Sequence, residues 1–201
     1  MLFDRMISIG IGRTGHAMLC LHVLPKIPGL VVLDERGHTP FQYYKDRCKE
    51  LNVPLPPAFT FIRNPFEWYV SHWCWTHLIG TFFKGTFPEY MEKTRTHHHH
   101  FGFRSVTMTW AYHGAENATY IGRYENLYAD AARIISTIIP DLTTEAQVLE
   151  IAQNAPWQGK GRFTREGGEH HGDYRQYYDD TCKQIVHDLD GDLIERFGYT
   201  F

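Results

Sequence analysis

Met6-Ile7-Ser8-Ile9-Gly10-Ile11-Gly12-Arg13-Thr14-Gly15-His16 is the stretch on which the reading of the fold turns. Met6 to Gly10 is a short apolar run that ends in glycine, the pattern of a buried strand. Gly10 to Gly15 reads as a tight loop, and Ala17 to Leu24 as a helix stopped by Pro25. A glycine-rich turn between strand and helix exposes backbone N–H groups, and the helix N-terminus adds partial positive charge. Arg13 supplies a fixed charge with a planar donor fork. The stretch therefore reads as an anion cradle. The competing reading is an ordinary glycine-rich connection with Arg13 on the surface.

The same alternation continues outward. Leu30 to Leu33 reads as a second buried strand, Phe41 to Leu51 as a helix, and Ala58 to Ile62 as a third strand. Pro65 opens a helix at its favoured first-turn position. Ser105 to His113 reads as helical, Thr119 to Gly122 as a fourth strand, and Tyr128 to Ile139 as a helix stopped at Pro140. Thr144 to Asn154 is a further helix, and Tyr177 to Phe197 closes the chain as an amphipathic one. Residues 82–104, rich in aromatics, lysine and histidine, read as a loop-like, variable insertion. Gly159 to Gly172 reads as a charged loop. Strands alternating with helices predict an α/β fold: one domain over residues 1–201, built on a parallel sheet of about four to five strands with helices on both faces. Ligands in such sheets bind at the carboxyl ends of the strands.

Composition narrows the function classes. The chain has 201 residues, 43% of them hydrophobic, which is enough for a sizeable core and argues against disorder. A formal net charge of −3 argues against coating nucleic acid, which needs a clustered basic surface. Cys20, Cys48, Cys74 and Cys182 form no Cys-x-x-Cys pair, so neither a zinc site nor a disulfide framework is expected. No signal-peptide pattern and no membrane-length apolar run is seen, so the expected location is cytoplasmic.

Three chemistries use a loop of this kind. A Walker-type ATPase needs Gly-Lys-[Ser/Thr], which is missing. A tyrosine-phosphatase loop needs a cysteine six residues before the arginine, where this chain has Ile7. The third is the sulfotransferase loop, and Arg13-Thr14-Gly15 resembles it. The resemblance becomes specific at Phe61-Ile62-Arg63-Asn64-Pro65-Phe66-Glu67-Trp68-Tyr69-Val70-Ser71-His72-Trp73, which is similar to the 3′-phosphate motif of the sulfotransferase superfamily. Ser71 falls about two turns along the helix that Pro65 begins, so an arginine and a hydroxyl can converge on one phosphate. Tyr120 to Leu127 resembles that family's strand ending in Arg-[Phe/Tyr]-Glu-[Asn/Asp]-Leu, and His171 to Tyr199 resembles the C-terminal segment of its carbohydrate-type members.

The resemblance implies a P-loop NTPase-like fold and, as cosubstrate, 3′-phosphoadenosine 5′-phosphosulfate (PAPS), with no metal. Gly12, Arg13, Thr14, Gly15, His16 and Ala17 would then bind the 5′ end, and Arg63 and Ser71 the 3′-phosphate. Arg162 and Arg165, with Lys160, match a basic loop that contacts the same phosphate. His16 and Ala17 stand where hydroxyl residues are usual in the family, which leaves backbone N–H groups, and His16 as a further donor, to serve there.

Asp34-Glu35-Arg36-Gly37-His38 follows the second strand. His38 resembles the base of the carbohydrate 2-O-sulfotransferases, with Glu35 in reserve and Arg13 stabilising the departing charge. The plain alternative for His38 is a cap for the helix near Pro40. The acceptor implied is a hydroxyl on a carbohydrate or small molecule. Two rival functions are a non-catalytic nucleotide-binding module of the same fold and a P-loop kinase or phosphatase. His97 to His100 read as a solvated loop, and Trp68, Trp73 and Trp75 as core packing.

Overall fold

The opening apolar run becomes a strand at the centre of a five-stranded sheet. The computed structural model describes residues 1–79, 83–97, 104–155 and 172–201. Its strands are β1 (Leu2–Phe3), β2 (Ile7–Ser8), β3 (Val32–Asp34), β4 (Ala58–Ile62) and β5 (Tyr120–Arg123), arranged β3-β1-β2-β4-β5. The chain forms two compact units, Met1–Ile62 with Trp110–Gln158, and Arg63–Thr109 with Gly159–Phe201.

The sheet lies in the first unit and is mixed, with one antiparallel strand where a parallel sheet was expected. β2, β4 and β5 are parallel, with Ile7 opposite Ala58 and Ile62 opposite Arg123. β1 is antiparallel to both neighbours, pairing Leu2 with Ile7 and Phe3 with Val32. The chain doubles back between Phe3 and Met6 (N to O, 2.9 Å), inserting a two-residue strand that is too short to carry a readable period. Because β1 alone is reversed, β3 still points the same way as β2, β4 and β5. Their carboxyl ends share one sheet edge, where the loops of interest begin.

All five residues of β4 are buried, as expected of a central strand covered on both faces. The helix after the first loop runs as α1 (His16–Met18), widens to a π turn over Leu19–Val23 and tightens to a 3₁₀ turn over Leu24–Lys26. Pro25, which has no N–H to donate, lies in that last turn, so regular α geometry does not continue through it. Met18, Leu19, Val23 and Leu24 pack in one cluster with Ala131, Ile134 and Ile135 of α6 (Leu127–Ile138) and Val148 and Ala152 of α7 (Glu145–Gln153). Thr144 starts α7 with a capping box to Gln147. α2 (Phe41–Glu50) and the C-terminal half of α5 (Val106–His113) complete the unit.

The second unit holds α3 (Pro65–Ile79), α4 (Phe87–His97) and α8 (Asp180–Phe197). The 82–104 stretch was expected to be loop-like, but its centre is α4. Phe87, Tyr90, Met91 and Thr94 recur at i, i+3, i+4 and i+7, and all four are buried. That helical period was masked by attention to the segment's composition. α8 kinks at Asp190 (φ −132°, ψ 17°). The buried Asp190 carboxylate accepts from the Tyr69 hydroxyl at 2.6 Å and from the N–H groups of Thr107 and Val106 at 2.7 and 3.3 Å. It thereby caps the start of α5 from a distant position in sequence. Among the described residues, no helix is long and apolar enough to cross a membrane.

Candidate functional site

The first loop is shaped by four residues. Gly10 has the ring of His16 directly over its Cα. A β-carbon there would lie 2.6 Å from His16 Cε1, closer than real contacts allow. Gly15 adopts φ +80°, and a β-carbon on it would meet Leu127 Cδ2 at 2.5 Å. Arg13 itself sits at φ 66°, a left-handed conformation that costs energy in any residue with a β-carbon. Thr14 is buried, and its hydroxyl donates to the Ile11 carbonyl at 2.8 Å, so its side chain closes the loop from within. Gly12, Arg13 and Ala17 are partly exposed.

His16 does not offer its ring as a charged donor to an anion. The ring is buried, its Nε2 lies 3.2 Å from Cys20 Sγ, and burial, reinforced by the N-terminal ammonium and then by His38 and His113, holds its pKa well below the usual imidazole value. Burial also pushes the Cys20 thiol up, so the pair is a neutral imidazole against a neutral thiol. The His16 ring forms the floor of the loop, against Gly10.

His38 stands over that floor. The segment after β3 brings it back to the first loop, where His38 Nδ1 lies 2.9 Å from the Gly10 carbonyl. A carbonyl only accepts, so Nδ1 donates here, and in the neutral ring that tautomer places the lone pair on Nε2. The residue is exposed and has φ 56°, a strained backbone that the Gly10 bond helps to maintain. Its ring centroid lies 5.1 Å from that of His16 and 6.3 Å from that of His113. His113, buried at the end of α5, went unnoticed in the sequence. Its one signal was the following Gly114, a left-handed stop that positions the helix end.

Glu35, the reserve base, is exposed beside Asp34. Asp34 accepts from the Tyr43 hydroxyl at 2.7 Å and from the Arg36 N–H at 2.9 Å. Its carboxyl lies below the usual range: burial opposes the shift, but these bonds and the charges of Arg36 and Arg47 outweigh it.

The second motif belongs to the second unit. Arg63 leaves β4 and is buried, with Nη2 on Glu67 Oε1 at 2.7 Å. Asn64 Oδ1 accepts from Phe66 N–H at 3.1 Å and caps the helix that Pro65 opens. Ser71, on α3, is also buried. Glu67 was not anticipated, although its i, i+4 spacing from Arg63 is visible in the sequence. His72 stacks on Trp68 (4.8 Å between centroids, 12° between planes) and meets the Tyr90 hydroxyl at 2.7 Å, a core placement. Lys160, Arg162, Arg165 and His98–His100 lie outside the described residues.

Two concavities stand out in the first unit. The larger, about 430 Å³, is lined by Lys26, Leu142, Gln147 and Ile151 among others, and none of residues 10–17 lines it. The smaller, about 250 Å³, opens beside Pro40 and Gly114, next in sequence to the His38 and His113 region. Among the described residues no group of three or more His, Cys, Asp or Glu side chains is placed to hold a metal ion. In comparisons with known proteins, the chain matches no family model and no curated sequence.

Proposed function

We propose that this chain is a sulfotransferase of P-loop-like fold that moves a sulfuryl group from PAPS to the hydroxyl of a carbohydrate or small-molecule acceptor. The observation that carries the reading is the His38 Nδ1 to Gly10 carbonyl bond of 2.9 Å. It sets a basic Nε2 beside a glycine-rich loop suited to an anion. Parallel strands feeding that loop and Arg63 from one sheet edge support the same reading.

In this mechanism the Gly12–Ala17 backbone and Arg13 hold the 5′-phosphosulfate. His38 Nε2 takes the acceptor proton as the acceptor oxygen bonds to sulfur. The bond from sulfur to the bridging oxygen breaks, and its electron pair leaves with 3′-phosphoadenosine 5′-phosphate. Loop N–H groups and Arg13 stabilise the charge on that product. Arg63 and Ser71 hold the 3′-phosphate. The supply of PAPS and location in the cytoplasm belong to the same proposal. Calorimetric titration with 3′-phosphoadenosine 5′-phosphate tests it, with saturable binding expected. No measurable binding overturns it.

The Arg63–Glu67 ion pair favours one other reading, a nucleotide-binding module without turnover, because a carboxylate already occupies part of the arginine fork. Binding of the nucleotide without sulfuryl transfer to any acceptor would support that reading.

A further inference from the structure

We infer that the cleft between the start of α2 and the turn after α5 is the acceptor subsite, and that it takes a neutral, polyhydroxylated ring. Its role as acceptor subsite rests on the transfer reading above. The cleft measures about 250 Å³ and is lined by Gln42, Lys45, Tyr112, Glu116 and Asn117 together with Phe41. It lies below the usual range for drug-sized ligands, which suits a single small ring.

Its position follows from the histidine row. His38 and His113 rings are 6.3 Å apart, and the His113 ring is 5.0 Å from that of Tyr112, which lines the cleft. Pro40, two residues past His38, lines it as well. The rim residue Pro40 thus follows the exposed member of the row, His38, by two positions. Gly114, at φ +64°, brings the α5 turn against α2: a β-carbon there would lie 3.0 Å from Phe41 Cβ.

Its chemistry sets the ligand class. Gln42 Nε2 already donates to the Asp46 carboxylate at 3.0 Å, and Asn117 Nδ2 to the Gly114 carbonyl at 3.0 Å and Glu116 Oε1 at 3.2 Å, so the two amide oxygens and Glu116 offer acceptors while Lys45 donates. Such a mixed set matches hydroxyls, which do both. One cation and one carboxylate leave the cleft without a net charge, so it has no preference for an anionic ring. Tyr112 is 49% exposed, a flat apolar face of the kind on which the C–H side of a ring can lie.

The test uses the full chain labelled with ¹⁵N. Methyl glucopyranoside is titrated while the amide resonances of Gly114 and Asn117 are followed, with glucuronate and cyclohexanol as comparison ligands and 3′-phosphoadenosine 5′-phosphate titrated separately. The glycoside is expected to shift both amides. Tyr112→Ala, an exposed position whose loss does not threaten the fold, should weaken the glycoside about fivefold and leave nucleotide binding unchanged. Nucleotide binding with unmoved Gly114 and Asn117 amides overturns the subsite. Equal or tighter binding of glucuronate or cyclohexanol overturns the ligand class. Glycoside binding without nucleotide binding overturns the transfer reading and the acceptor role, while leaving the cleft a glycoside site.

Discussion

His38 Nδ1 and the carbonyl oxygen of Gly10 are 2.9 Å apart, although 28 residues separate them in sequence. One hydrogen bond thus decides both the tautomer of His38 and which loop it serves. Replacing His38 by Ala should leave binding of 3′-phosphoadenosine 5′-phosphate intact and lower the transfer rate about 10²–10⁴-fold. Calorimetry and a radiolabelled sulfate-transfer assay read the two quantities separately, and a fully active variant would remove His38 from the mechanism.

His16 predicts an acid sensitivity. Its folded pKa is depressed, chiefly by burial, from an ordinary value of 6.5. The unfolded chain therefore binds this proton at a pH where the folded chain does not, so the stability it contributes is present above about 6.5 and lost as pH falls below it. One such group changes stability by at most about 1.4 kcal/mol per pH unit. Urea unfolding between pH 7 and pH 5 should show that loss, and His16→Gln should flatten it. An unchanged slope in the variant would assign the effect elsewhere.

The two loop glycines separate folding from binding. Gly10→Ala drives a β-carbon into the His16 ring, and overpacking of this kind costs about 1–3 kcal/mol. A β-carbon on Gly12 meets nothing within 4 Å. Gly12→Ala should therefore melt like the parent protein yet bind the nucleotide more weakly, because the methyl group occupies the space a phosphate would approach. Thermal unfolding with parallel calorimetry checks both.

Glu67 Oε1 lies 2.7 Å from Arg63 Nη2, so on the proposed reading the carboxylate would compete with a phosphate for the buried guanidinium. Glu67→Gln is expected to tighten 3′-phosphoadenosine 5′-phosphate binding several-fold, and Arg63→Ala to abolish most of it. If the two variants bind the nucleotide like the parent, the 3′-phosphate lies elsewhere.

Asp190 is the buried carboxylate of the second unit. Burial raises its pKa, while the bonds from Tyr69 and Thr107 restrain that rise. Asp190→Ala would strand the Tyr69 hydroxyl and the first N–H groups of α5, a loss of about 2–4 kcal/mol. A shift of the urea midpoint without a change in slope would report it.

Much of the fold was legible because its signals are local. The AFTFI run is β4 residue for residue, Pro65 opens α3, and Thr144 caps α7. β1 was not legible, because two residues carry no period, and without it the sheet reads as parallel. α4 had a readable period that the histidine- and lysine-rich composition obscured.

By itself, the sequence determined the alternation of β2 to β5 with their helices, the glycine-rich turn before His16 and the arginine after β4, since hydrophobic spacing and turn chemistry act over a few residues. Only the tertiary structure decided that the His16 ring sinks to the loop floor, that His113 joins His38, and that Arg63 is buried. Those outcomes depend on which side chains lose water together, and burial between distant segments leaves no mark on any one of them.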